Sequence, residues 1–596
     1  MQGPDVLAAL FQQGLTLHQQ GQLEQAKAAY ERILRAQPGQ ADAMHMLGVI
    51  ALQLQNYPVA AELIRLAVQA NPLNASAHLN LGLACKELQR FEEALYCYRQ
   101  ATELRPNYAE AFNNQGVALH ACQRHDEAVV SLSQAIAIKT DYAQAFYNRG
   151  LVLHACGRLD QALHDFDKCI ELQPDYAPAW NNRGVVLQDQ LHWEAAEQSY
   201  ASAVATQPDF AQAHYNLGNA LRALGRFEDA IASYDRAIRL RANLPHTFNN
   251  RGLALQELQR SAEAIASYDA AITADAEFAD AYWNKSIELL LCGDFAQGWK
   301  LYEWRWQRDT FSSRKRAFAQ PLWLGETPLA GKTVLLHAEQ GLGDSIQFCR
   351  YAREVKALGA EVLLEVPGPL IALMETLQGL GQVLEKGAEL PYFDYHCPLM
   401  SLPLAFQTEL VTIPNHTPYL ASTASKREHW AHRLGPQGKP RVGLVWNGNV
   451  LDRADRQRSL RFSQLVPYLP SGFEYICLQK EIRSTDREAI ESSSVRFFGE
   501  SLSDFSDTAA LCDLMDVLIS VDTSVAHLAG ALGKPIWIML AYAPDWRWML
   551  NRRDSPWYPS ACLYRQNHER TWDPVLAQIG SDLLGYLQTG SLQRQT

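Results

Sequence analysis

Asparagine recurs every 34 residues through the first half of this chain, at Asn80, Asn114, Asn148, Asn182, Asn216, Asn250 and Asn284. Seven returns in one register dictate a stack of like units instead of a single globular core. Two residues after each Asn stands a glycine (Gly82, Gly116, Gly150, Gly184, Gly218, Gly252), with Ser286 after the last. An alanine follows twelve positions on (Ala94, Ala128, Ala162, Ala196, Ala230, Ala264), and an aromatic usually comes four later (Tyr98, Phe166, Tyr200, Tyr234, Tyr268). Proline often closes the unit, at Pro72, Pro106, Pro174 and Pro208. Small residues at fixed offsets let two antiparallel helices approach closely, and proline ends the second because it cannot continue one. The register runs back to Gly48 and Gly14, which gives about nine repeats between residues 7 and 306.

This pattern resembles the tetratricopeptide repeat, a pair of antiparallel helices. In a stacked array the first helix of every repeat lines the concave face, so the asparagines form a column along one groove. Each side-chain amide can donate and accept, and a column of them can hold an extended peptide by its backbone. The column is similar to the asparagine ladder of eukaryotic protein O-GlcNAc transferases, a resemblance that implies a protein or peptide partner. Asparagine is also common at this position in tetratricopeptide repeats at large, so a structural column stays open beside a binding one.

At 596 residues the chain has room for a solenoid plus two globular domains. A net charge of −12 with no dominant basic stripe argues against a nucleic-acid partner. The first residues carry no basic segment followed by an apolar run, and no stretch reaches 18 apolar residues, so neither a cleaved signal nor a membrane span is expected. Eleven scattered cysteines without a C-x-x-C pair read as small core residues in a reducing compartment, and a cytoplasmic location is expected. Composition leaves the oligomeric state open.

The ninth unit departs from pattern: Gly298 replaces alanine, and Trp299, Tyr302, Trp304 and Trp306 crowd its end. Terminal repeats face something other than another repeat, and four rings suggest a dock for the next domain. Beyond a linker at 307–330, strand and helix signals alternate in two series. Runs such as Thr333–His337, Val362–Val366, Arg441–Trp446, Phe473–Leu478, Val517–Val521 and Ile536–Leu540 read as buried strands, with a helix over Ser345–Lys356. The expectation is a helical solenoid over 1–306 and an α/β half of two doubly wound, Rossmann-like lobes, 331–425 and 438–590, joined by a polar linker at Ala421–Lys439. Ligands in such sheets sit beyond the carboxyl ends of strands.

The loop most specific for chemistry runs from Val521 to Pro535, where a strand gives way to a helix near Ser524. The first amides of that helix, at Thr523, Ser524 and Val525, have no intrahelical acceptor and favour an anion, and Asp522 can bind sugar or ribose hydroxyls. This segment resembles the D-T-x-x-x-H-L-A-x-A-L-G-x-P stretch of heptosyltransferase-type glycosyltransferases. That resemblance implies the two-lobed GT-B fold and a nucleotide-diphosphate sugar whose diphosphate is held here, with His527 a further contact or simply a structural histidine. Gly341-Leu-Gly-Asp344 follows the first strand. The same family carries a G-D there whose Asp is the general base, which makes Asp344 the expected base; the alternative is a cap on the helix after it. After Trp446 come Asn447, Gly448, Asn449 and four arginines, Arg453, Arg456, Arg458 and Arg461. An arginine fork suits a diphosphate, and by resemblance Arg458 would neutralise the leaving group; the alternative is a solvated charged loop. Gly341, Gly343, Asn447, Asn449 and Trp546 are expected around the donor, the last within Asp545-Trp-Arg-Trp548, whose rings could stack on a base or pack in the core. His337 is weighed as a donor contact and as a structural residue.

The second half holds no Asp-x-Asp and no His/Cys set with metal-ligand spacing, so metal-independent, inverting transfer without a cofactor is expected. The overall architecture resembles bacterial counterparts of protein O-GlcNAc transferases. Two other readings stay open: a scaffold whose glycosyltransferase half has lost catalysis, and a transferase acting on a glycan or lipid.

Overall fold

The computed structural model describes residues 4–241, 245–311, 313, 315–448 and 458–590. The chain divides into two compact units, Met1–Ala242 and Asn243–Thr596.

The first unit is a run of helix pairs, from Pro4–Gln19 with Leu23–Ala36 to Ala211–Ala223 with Phe227–Leu240. The glycine of each first helix is a hole for the large residue of the second. A Cβ at Gly82 would lie 2.5 Å from the Tyr98 ring, one at Gly184 2.6 Å from Tyr200, and one at Gly116 2.5 Å from Leu132. The rings of Tyr98, Tyr200 and Tyr234 are fully buried there. Burying one such side chain contributes about 1.5–3 kcal/mol, so the hole recurs wherever the pair does. The turn between the two helices carries a second periodic signature. A left-handed residue closes it at Gly21, Gln55, Gln89, Gln123, Gly157, Leu191 and Gly225, and in the second unit at Gln259 and Gly293. Glycine adopts this conformation freely, but glutamine holds the same position at some strain.

The second unit opens with two more pairs, Pro245–Glu257 with Ser261–Ala274 and Ala279–Leu291 with Phe295–Tyr302. Two parallel sheets follow. The first is ordered β3-β2-β1-β4, with β1 Thr333–His337, β2 Glu361–Val366, β3 Gln382–Glu385 and β4 Tyr395–Pro398. The second is ordered β10-β9-β8-β5-β6-β7. Its strands are β5 Arg441–Val445, β6 Glu474–Cys477, β7 Arg496–Phe497, β8 Val517–Val521, β9 Ile536–Leu540 and β10 Ala561–Arg565. Strands β5, β8 and β9 are buried along their whole length, as parallel strands covered on both faces must be. One apolar cluster joins Leu336 and Leu364 of the first sheet to Leu518 and Ile538 of the second through the helices between them. It also takes in Phe295, Trp299 and Tyr302 of the last helix pair. The ring of Trp299 stands edge-on to Phe348 and to Trp546.

Three local expectations are corrected. The stretch 421–439 is not a bare linker, because Ala424–Leu434 is a helix that buries Trp430 and bonds its indole to Asp507 at 3.0 Å. The single helix expected over Ser345–Lys356 is two, Leu342–Phe348 and Tyr351–Ala357. The Trp304 and Trp306 rings leave the dock: Trp304 stacks on Tyr282 at 3.8 Å and Trp306 meets Phe311.

Candidate functional site

In the second sheet the chain winds outward from β5 through β6 to β7, returns to β8, and winds the other way through β9 to β10. The reversal lies between β5 and β8, and the crevice of a doubly wound sheet opens beyond the carboxyl ends of such a pair. Asp522 and Thr523 follow β8 there, leading into the helix Ser524–Ala531. Thr523 is the residue before that helix and does not cap it with its side chain, since its hydroxyl lies 3.1 Å from the Ser520 hydroxyl. Asp522, Thr523 and Ser524 are all partly exposed, whereas Val525 is buried by its side chain.

The loop after β1 comes to the same place. A Cβ on Gly343 would lie 3.4 Å from the Ser524 Cα and 2.9 Å from the His527 ring, so only glycine fits between the two segments. Asp344, the next residue, belongs to the helix Leu342–Phe348 that packs on Ser524–Ala531. It takes part in capping this helix from inside the first turn. Gly341 holds the cap position, and Asp344, three residues in, accepts the Gly341 amide at 2.8 Å. Its other carboxylate oxygen is bound by Arg547, which reaches over from the turn after β9.

Arg547 is 7% exposed, and each of its three guanidinium nitrogens has a partner. Its Nε donates to Gln347 at 2.7 Å and its Nη1 to both Asp545 oxygens, at 2.9 and 3.1 Å. Burial pushes the Asp344 carboxyl above the usual carboxylate range, and the Arg547 charge opposes it. Asp522 is pushed up to about 6, by burial first and then by the neighbouring Asp545, with Arg458 pulling the other way. Burial drives His527 well below the ordinary histidine range, helped by the Arg547 charge, so the ring is neutral. It sits 2.9 Å from the Tyr558 hydroxyl and stacks on Trp548. Arg458 is close enough for its charge to act on both Asp522 and His527.

Other expected residues lie elsewhere or serve the framework. Asn447 is buried, its side-chain carbonyl accepting from Gln479 at 2.9 Å and its amide donating to Asp486 at 3.4 Å, so it shapes the floor after β5. Trp546 is 1% exposed and enclosed by Trp299, Phe348 and Trp557, which leaves no ring face for a base; it belongs to the core. His337 is buried 3.2 Å from His396, and burial lowers it to about 3. Gly341 is exposed beside Asp344. Asn449, Arg453 and Arg456 lie outside the described residues.

The asparagine column has a physical role that its spacing did not reveal. Asn148 donates to Asn113, Asn182 to Tyr147, Asn216 to Asn181 and Asn284 to Asn249, each 35 residues back at 2.8–2.9 Å. Asn80 pairs with His45 over the same interval. Each of these amides therefore ties its own first helix to the first helix of the preceding repeat. Asn114 and Asn250 occupy the same position in their helices, Ala109–Ala121 and Pro245–Glu257.

Sequence reasoning did not assign the buried network that binds the last helix pair to the first sheet. Arg305, fully buried, reaches Glu303 at 2.6 Å, Ser401 at 2.7 Å and Glu339 at 3.2 Å. Burial pushes Glu339 up to about 7 against the Arg305 charge.

Comparison with known proteins identifies the class for the repeat half. Models described as tetratricopeptide repeat match residues 11–75, 56–96, 143–176, 181–245 and 245–278. A model described as TPR repeat matches 83–121 and 116–157. These residues are tetratricopeptide repeats, and the chain is a repeat protein with an α/β half. More particularly, it is 26% identical over 327 residues to Protein FlbA of Caulobacter vibrioides (strain ATCC 19089 / CIP 103742 / CB 15), over 50% of this chain and 54% of FlbA. The chain thus spans about half the length of the curated relative it matches. Among solved structures it is similar to MamA, with 25% identity and TM-score 0.26 over 28% of this chain and 96% of that one. It is also similar to YrrB, described as a TPR protein with an unusual peptide-binding site, at 24% identity and TM-score 0.28 over 33% and 99%. Among the described residues no helix is long and apolar enough to cross a membrane.

Proposed function

We propose that the α/β half is a glycosyltransferase of the GT-B kind, moving a sugar from a nucleotide-diphosphate donor to an acceptor hydroxyl. The observation that supports this reading is the close seating of Gly343 against Ser524, which brings the loop of Asp344 beside the start of the helix Ser524–Ala531. Those amides and Arg458 would hold the diphosphate, and Asp522 a donor hydroxyl. Asp344 would take the acceptor hydroxyl proton as that oxygen forms its bond to the anomeric carbon. The bond from that carbon to the phosphate oxygen breaks, its electron pair leaves with the nucleoside diphosphate, and one displacement inverts the centre. The repeats would recruit a protein or peptide acceptor. In that role the asparagines named above contribute mainly the order of the groove, since their amides already brace neighbouring helices.

Ser524→Pro tests the diphosphate site. Ser524 is the first residue of its helix, where proline is tolerated because the amide has no intrahelical acceptor. The variant should melt like the wild type while its affinity for the best donor in a nucleotide-sugar panel, read by calorimetry, drops about tenfold for one lost charged hydrogen bond. Unchanged donor affinity would remove those amides from the site.

A further inference from the structure

We propose that Arg547 is a donor-gated switch on Asp344: the guanidinium that holds this carboxylate is the group a donor phosphate takes over, and the exchange releases the base. This inference rests on the glycosyltransferase reading above. The two residues stand 203 positions apart and meet only because the turn after β9 lies against the helix Leu342–Phe348. Both Asp344 oxygens are engaged, one by Arg547 and one by the Gly341 amide. A carboxylate paired with a guanidinium is a weaker proton acceptor than a released one, because the cation stabilises its anion. Arg547 is equally suited to phosphate, whose oxygens match its planar fork.

Three further features fit an exchange better than a fixed structural pair. The guanidinium lies over the Trp546 ring at 4.4 Å and is pinned by Asp545 and Gln347, so Nη2 alone needs to change partner. Its charge acts on Asp522 and His527, which flank the opening of the helix Ser524–Ala531. Asp344 is 22% exposed at the side chain while Arg547 is 8%, so the carboxylate is the partner that faces an incoming acceptor. The consequence is an order of events. The acceptor hydroxyl meets an active base only when a donor is already seated.

Inorganic pyrophosphate is the probe, titrated calorimetrically into the full chain. Asp344→Asn should bind it about tenfold more tightly than the wild type, because Nη2 loses its anionic competitor, and Arg547→Gln about tenfold more weakly. Arg547→Lys, which keeps the charge without the fork, should fall between them. The double variant decides between exchange and a general charge effect: in the Arg547→Gln background, Asp344→Asn should give no gain. A gain that persists without Arg547, or no gain at all from Asp344→Asn, overturns the switch while leaving the diphosphate site standing. Failure of the wild type to bind pyrophosphate removes that site, and the switch with it.

Discussion

The ninth helix pair and the eight before it carry a large apolar residue at one repeat position and use it in opposite ways. In the earlier pairs that residue, Tyr98 or Tyr200 for example, drops into the hole left by a glycine on its own first helix. In the ninth, Ser286 fills the hole and Gly298 is the small residue of the second helix, where a Cβ would strike Leu290. Tyr302, in register with Tyr268, instead receives a hydrogen bond from Gln340 and joins the core between the two sheets. Moving one glycine across the pair thus turns a ring from a repeat's interior toward the next domain. The difference teaches that a repeat ends its array by redirecting its packing, with little change in its helices.

Five substitutions sharpen or break that contrast. Trp299→Ala should have the largest effect, destabilising Asn243–Thr596 by about 3–5 kcal/mol as expected for a buried ring cut to a methyl group. A melt followed by two probes should show the loss in that unit while Met1–Ala242 unfolds as before; an equal loss in both would mean the ninth pair belongs to the array. Asp522→Asn comes next and depends on pH. The folded carboxyl titrates at about 6, above its unfolded value of 3.8, so its contribution to stability is complete below pH 4 and lost as pH rises through 6. The variant should therefore gain on the wild type between pH 4 and 6, by about 3 kcal/mol at most, and hold that lead above it. A difference flat in pH would show that desolvation and the Asp545 charge do not raise Asp522 as described.

Gly184→Ala should cost about 1–3 kcal/mol in the first unit, because its Cβ meets the Tyr200 ring at 2.6 Å and the ring must shift. The same change at Ser286, Ser286→Ala, removes only a hydroxyl bonded to the Trp283 carbonyl at 2.7 Å and should cost less, which denaturant titration would resolve. Asn182→Ala is the smallest, about 1 kcal/mol for a hydrogen bond between neighbouring repeats. No loss there would return the asparagines to a pure binding role.

The repeat half was legible because its rule is local: a glycine at one offset and a ring sixteen residues on, as in Gly82 and Tyr98, state the packing directly. Even so, the left-handed turns at Gln55, Gln89, Gln123 and Gln259 were invisible, since glutamine carries no turn signal and only the glycines of that series announce it. In the α/β half the long apolar strands β1, β5, β8 and β9 could be read. Short β3, β4 and β7, and β10 with its mixed pattern, were passed over because they depend on neighbours already in place. The loops around Asp344 and Ser524 could be singled out from their residues, but their meeting across Gly343 could not. The Arg547–Asp344 pair joins residues 203 apart, and no local pattern encodes such a contact.

The measurement that bears most directly on the whole account is release of nucleoside diphosphate from a panel of nucleotide sugars, by the full chain and by Asp344→Ala, with an acceptor hydroxyl supplied. The account predicts turnover of at least one donor and a fall of about 10²–10⁴-fold in the variant, the range a positioned general base provides. Equal rates in the two proteins, or no turnover of any donor, would contradict it.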